Sequence, residues 1–163
     1  MDNFEEAVAA LNDLKARQVV AEYALGGAMA LLFWSEPAAT FDLDVFVILD
    51  QPGLLVSLEP IYSWARENGY FEHAEHILIA GIPVQLIPAP NELARSAILE
   101  AADLRYGTEP VRVIRPEYLI AMYLEESART RKRMERVATL LDEGTLDRAL
   151  LDGILMKYDL RLP

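Results

Sequence analysis

Cysteine is absent from the 163-residue chain, which excludes disulfides and thiolate metal sites. Histidine is nearly absent, with only His73 and His76. No serine–histidine–acid set and no Walker-type glycine loop is apparent. Long apolar runs are missing too. The longest, Tyr23 to Trp34, is short and broken by Gly26-Gly27, so no membrane span is expected. The acidic start, Met1-Asp-Asn-Phe-Glu-Glu, lacks a signal-peptide pattern, and a bacterial-type cytoplasmic location is expected. Positive charge is scarce: 15 Lys and Arg stand against 26 Asp and Glu, for a net charge of −11. That balance argues against loose, non-specific nucleic-acid binding. It leaves room for a local basic site, and Arg129-Thr-Arg131-Lys132-Arg133-Met-Glu-Arg136 is one.

What is present is globular. The chain is 53% hydrophobic and 25% charged, and its length suits a single domain, 1–163, with a real core. Residues 2–17 predict an amphipathic helix, capped by Asp2 and with Phe4, Val8, Leu11 and Leu14 on one face. Val19 to Leu25 reads as a first strand, Ala28 to Phe33 as a short helix stopped near Pro37, and Asp42 to Leu49 as a second strand. After a turn at Pro52-Gly53, Leu54 to Glu67 reads as a helix closed by Asn68-Gly69. His76–Ala80 and Pro83–Ile87 read as a hairpin about Gly81. A helix from the cap Asn91 to Ala102 follows, then a final edge strand Val111–Ile114. Pro116 opens a helical region with a break between Glu125 and Arg136. Gly144 ends it, and Thr145 caps a last helix to about Tyr158. The expected fold is α+β: a mixed sheet packed with helices over about 1–114, and a C-terminal helical subdomain over 115–163.

The chemistry is concentrated in Tyr23 to Leu49, which reads as strand, Gly26-Gly27 turn, helix, Asp42-Leu43-Asp44, strand. Strand alternation puts Asp42 and Asp44 on one face, about 7 Å apart along the chain. Two carboxylates so placed can share a hard divalent cation such as Mg²⁺. The paired glycines let backbone approach a phosphate, and the helix after them aims N–H groups at it. A metal pair and a phosphate cradle on adjacent strands point to nucleoside triphosphate chemistry. Leu43, Val45 and Val47 are expected to face the core. His73 and His76 are three apart in a segment that enters a strand, where residues so spaced point to opposite faces, and both are taken to be surface residues. Trp34 and Trp64 are read as packing residues. The basic run 129–136 has two readings, a solvated helix face or a clamp for a triphosphate or nucleic-acid backbone.

The order strand, GG, helix, DxD, strand resembles the nucleotidyltransferase superfamily, and within it the abortive-infection (AbiEii-type) nucleotidyltransferase toxins of toxin–antitoxin pairs and their relatives. The match covers Gly26, Gly27, Asp42 and Asp44. The resemblance implies Mg²⁺-dependent binding of a nucleoside triphosphate and transfer of a nucleotidyl group to an RNA or protein hydroxyl. Asp42 and Asp44 would then be the catalytic metal ligands. Gly26 and Gly27 would admit the phosphates, with Lys132 or a neighbouring arginine neutralising them. A cognate antitoxin is the implied partner.

Three positions depart from the pattern. Gln85 stands where a third carboxylate is expected, and a polar residue on an exposed strand face is the other reading of it. Tyr123 stands near an expected lysine. Arg133 stands where an aspartate would follow Lys132. Glutamine can hydrogen-bond but cannot take a proton or add charge to a metal site. The alternative is therefore a catalytically impaired binding or regulatory module, or a relative whose pocket is vestigial.

Overall fold

The computed structural model describes residues 2–35, 42–51, 56–143 and 145–163. The expectations at Pro37, Pro52-Gly53, Leu54 and Gly144 lie outside these residues. The elements are α1 (Asn3–Ala16), β1 (Glu22–Leu25), α2 (Gly27–Trp34), β2 (Leu43–Ile48), α3 (Glu59–Glu67), β3 (Phe71–His73), β4 (His76–Ile79), β5 (Ile82–Pro88), α4 (Glu92–Leu99), β6 (Ala102–Tyr106), β7 (Glu109–Val113), α5 (Pro116–Leu124), α6 (Arg131–Asp142) and α7 (Arg148–Lys157). A 3₁₀ turn, Glu126–Ala128, separates α5 from α6.

The strands form one mixed sheet in the order β3-β4-β5-β2-β1-β7-β6. β2 is central. It runs antiparallel to β1, with Leu25 opposite Val45, and parallel to β5, with Asp44 opposite Gln85. Its alternation decides what each face holds. Leu43, Val45 and Val47 are fully buried, as the sequence pattern predicts, and Val84 and Leu86 of β5 stand beside Leu43 and Val45. Asp44 and Phe46 face the other way and are only half-buried.

Helix α1 covers the Tyr23 face of the sheet. The Tyr23 hydroxyl donates to Asn12 (2.7 Å), and Trp64 of α3 donates its indole N–H to Asp13 of α1 (3.0 Å). Burial raises the Tyr23 hydroxyl pKa to about 12, so it stays a donor. On the Asp44 face, α4 touches β1, β2 and α5, and α5 touches α6 and α7. Helix α5 is buried along almost its whole length. Its Glu117 is only 5% exposed and accepts the backbone N–H of Asp147 (3.1 Å), tying α5 to the start of α7.

Local sequence explains most element ends. Asp2 accepts the N–H of Glu5 (2.7 Å) and Asn91 that of Ala94 (2.9 Å), each a cap worth about 1 kcal/mol. The β4–β5 hairpin turns on Ala80 and Gly81, both in the left-handed region (φ +52° and +80°) as a type I′ turn requires. Other expectations need correction. The stretch from Val19 to Ala21 is irregular, and the first strand begins at Glu22. Helix α3 begins only at Glu59. Pro60 suits its first turn, and Gln51 and Ser57 exchange two hydrogen bonds (2.7 and 2.9 Å) before it. Helix α4 stops at Leu99, and Ala102 begins a strand, β6. The last strand is therefore not an edge: β7 lies between β1 and β6. Pro110 is tolerated in β7 because the pairing with β1 is at Val113, beyond the proline. Asp147, not Thr145, caps α7 by accepting the N–H of Leu150 (3.0 Å).

Candidate active site

The antiparallel β1–β2 pairing carries the end of β1 to the start of β2. The N–H of Gly26 donates to the carbonyl of Asp44 (2.9 Å), which seats the glycine pair against the carboxylate strand. Both glycines are needed there. A Cβ on Gly26 would sit 2.6 Å from the Phe46 ring. Gly27 has φ +57°, and a Cβ on it would collide with Asp44 Oδ2 and stand 3.1 Å from Asp44 Cβ. Helix α2 opens at this point with no side-chain cap, so the N–H groups of its first turn remain for other partners. Gly27→Ala should therefore fail twice. The left-handed backbone costs about 1–2 kcal/mol for a residue with a Cβ, and the methyl displaces Asp44. The expected outcome is a Tm lower by several degrees and a lost response to nucleotide, both read by thermal denaturation.

Gly27, Asp44 and Gln85 line a cleft of about 280 Å³. Phe46 and Ile87 continue its floor, Leu119, Met122 and Tyr123 of α5 form one wall, and Arg133 and Arg136 of α6 close it. Asp44 is a strained acid here. Burial raises its pKa, and the neighbouring charge of Asp42 raises it further, while His76, Arg133 and Arg136 pull it down. Asp42, one residue before β2, is exposed, with Oδ2 3.9 Å from His76 Nε2. No group of three or more acidic or histidine side chains able to hold a metal occurs among the described residues. Of the two carboxylates, Asp44 lines the cleft and is half-buried, while the exposed Asp42 lies outside the lining but near enough for its charge to act on Asp44. A bound cation would relieve that repulsion, and the missing Cβ of Gly27 keeps the space beside Asp44 open. Both features fit a divalent metal.

The structure brings Gly27, Asp44, Gln85, Tyr123 and Arg133 together. It does not bring Lys132, which is exposed on α6 and lies outside the cleft lining. Arg133 and Arg136, three apart on one helix face, line the cleft instead, and a shift of one residue turns a side chain by about 100°. Arg136 was not singled out by the sequence. Its phase became readable only once Thr130 fixed the start of α6 by accepting the N–H of Arg133 (3.2 Å).

His76 also departs from expectation. The two do not point to opposite faces: Ala74-Glu75 is a tight turn, with Ala74 at φ +54°, and His73 at the end of β3 pairs with His76 at the start of β4. Ile77 pairs with Val84, so His76 falls opposite Gln85, which itself lies beside Asp44. Its side chain is 19% exposed and close enough to influence Asp44. Trp64 is buried and Trp34 is half-buried, its indole N–H donating to the carbonyl of Ile114 (2.8 Å).

The architecture is nucleotidyltransferase-like, and solved structures show it. Chains that superpose over nearly all of this one include ANT(2")-Ia in complex with adenylyl-2"-tobramycin, with a TM-score of 0.61 and 13% identity over 96% of this chain and 99% of that one. A solution structure of the antibiotic-resistance factor ANT(2'')-Ia matches with a TM-score of 0.51 and 15% identity over 98% and 93%. An antigenic nucleotidyltransferase-like protein from Paracoccidioides brasiliensis matches with a TM-score of 0.53 and 12% identity over 97% and 89%. At such identities the likeness is one of fold. No family model and no curated protein sequence matches the chain. Among the described residues no helix is long and apolar enough to cross a membrane.

Proposed function

We propose that the chain binds a nucleoside triphosphate with Mg²⁺ in the cleft beside Asp44 and transfers its nucleotidyl group to a hydroxyl of RNA or protein. The single observation that carries the reading is the seating of Gly27 against Asp44, with Asp42 adjacent, in a nucleotidyltransferase-like fold. Asp42 and Asp44 would hold the metal, whose chemistry is to draw charge off the triphosphate. The Gly26-Gly27 turn and the uncapped start of α2 present backbone N–H groups to phosphate oxygens. Arg133 and Arg136 add positive charge on the opposite wall. In the transfer an acceptor oxygen bonds to the α-phosphorus and pyrophosphate leaves.

Proton removal is the weak point. Gln85 is no base, guanidinium groups are donors only, and burial raises the pKa of Tyr123. Positioning and charge stabilisation supply much of phosphoryl-transfer catalysis, so slow turnover is expected and not none. A toxin role with a cognate antitoxin extends the proposal on the resemblance of residues 23–49 alone. The same position of Gln85 beside Asp44 favours a second reading, a nucleotide-binding module without transfer.

The test is incubation of the protein with labelled triphosphates, Mg²⁺ and either total RNA, total protein or tobramycin. Label is expected in RNA or protein. Tobramycin, a polyamine, should be a poor acceptor beside Arg133 and Arg136. MgATP at a hundred times its Kd should stabilise the fold by about 2.7 kcal/mol. A thermal shift with no labelled acceptor would establish the second reading, and no shift at all would overturn both.

A further inference from the structure

The cleft contains a hydroxyl whose O–H has no acceptor among the described residues. Tyr123 is 7% exposed, lines the cleft from α5, and its hydroxyl has no hydrogen-bond partner among the described residues. Arg136 stands close enough to the hydroxyl to lower its pKa by charge and by a side-chain contact, with its guanidinium carbon 6.0 Å from the ring centroid, but that contact falls short of full hydrogen-bond geometry and, a guanidinium being a donor only, gives the O–H no acceptor. A buried donor left unpaired costs on the order of 1–3 kcal/mol. Apolar neighbours would make phenylalanine the cheaper residue here: Leu119, Met122 and Phe46 line the same cleft. The neighbouring wall residues Arg133 and Arg136 carry donors only, as does the open turn of α2 at Gly27. Among the described residues that line that wall the one acid, Glu125, is already engaged by Asn91 (2.7 Å). A ligand that completes this wall must supply acceptor oxygens, several of them, and negative charge.

We propose that Tyr123 is a specificity residue for the outer phosphates of the triphosphate: its hydroxyl donates to a non-bridging oxygen of the β- or γ-phosphate while Arg136 holds the same group by charge. This rests on the triphosphate reading above and deepens it. The ligand then lies between two unlike walls, with Asp42 and Asp44 on its metal side and Tyr123, Arg133 and Arg136 on its phosphate side. A nucleoside monophosphate lacks the atoms that satisfy Tyr123.

Tyr123→Phe removes one oxygen and keeps the ring. Binding is measured by calorimetry and thermal shift with Mg-tripolyphosphate, MgATP and AMP. The ligand-free variant should melt at or above the parent. Its affinity for MgATP and Mg-tripolyphosphate should fall about tenfold, the worth of one hydrogen bond to a charged acceptor. Its affinity for AMP should stay as in the parent. Arg136→Gln should weaken the same two ligands, and the two changes together should cost less than the sum. Equal MgATP affinity in parent and Tyr123→Phe overturns the proposal and leaves the triphosphate reading standing. A clear drop in the Tm of the ligand-free variant also overturns it, because the hydroxyl then has a structural partner. Failure of the parent to bind either triphosphate probe overturns the reading itself.

Discussion

Asp44→Asn should make the ligand-free protein more stable and the loaded protein inactive. The two effects have one cause. Burial and the charge of Asp42 raise the Asp44 pKa, so ionising it costs more in the folded chain than in the unfolded one. A carboxylate whose folded pKa is raised contributes full stability below its unfolded pKa, 3.8, and loses it as pH rises through the raised folded value. At neutral pH the parent therefore carries the full penalty, and the asparagine carries none. A Tm higher by about 2–4 °C corresponds to 1 kcal/mol in a domain of this size. The gap should close as the pH is lowered toward 4, which thermal scans across pH would show. Asp42→Asn should gain less, because Asp42 is exposed. With MgATP the order reverses. Removing the half-buried metal carboxylate removes several kcal/mol of charge stabilisation, so transfer should fall on the order of 10³-fold and the thermal response should vanish. A variant less stable than the parent at pH 7, or one that still responds to MgATP, would show that Asp44 is an ordinary structural acid.

The strand that carries this chemistry was legible because its signals are local. Alternation along Leu43 to Val47 separates core from cleft without knowledge of any other element, and Gly26-Gly27 announces a close approach. The hairpin at Ala80-Gly81 and the cap at Asn91 are equally local. Features that depend on phase or partner were not legible. β6 was not legible: the helix expected from Asn91 runs on to Ala102 because α4 ends at Leu99 with no glycine to mark it, and 103–106 fall in no expected element, although Leu104 and Tyr106 alternate with Asp103 and Arg105. Strand β3 and its turn into β4 were not legible because Ala74-Glu75 has none of the usual turn residues. In the run 129–136 five cations in eight residues give no phase, so Lys132 and the arginines could not be ranked from composition. The fold is shared with solved nucleotidyltransferase-like structures, whereas the likeness to abortive-infection toxins rests on the Gly26–Asp44 pattern alone.

Gln85→Asp is expected to produce the largest gain. Gln85 stands directly beside Asp44 on the parallel strand β5, about 4.8 Å away across the ladder, and both line the cleft. The substitution therefore places a third carboxylate at the site without moving backbone. It should first cost stability. A new negative charge next to Asp44 raises the price of ionising both, and the ligand-free Tm should fall. Divalent metal reverses that cost, because the added oxygen ligand meets the same cation. Mn²⁺ affinity, read by electron paramagnetic resonance, should rise about tenfold, since tuning by ligand charge is the usual lever in oxygen-ligand sites. A carboxylate in reach of the acceptor hydroxyl can also take its proton, and a positioned general base contributes typically about 10²–10⁴-fold. Single-turnover labelling of RNA should show that gain, while Gln85→Asn, equal in size to the aspartate but without its charge, should show neither effect. If the aspartate variant binds Mn²⁺ and transfers label no better than the asparagine control, the incompleteness of the site does not lie at Gln85, and the slow turnover expected of the parent needs another cause.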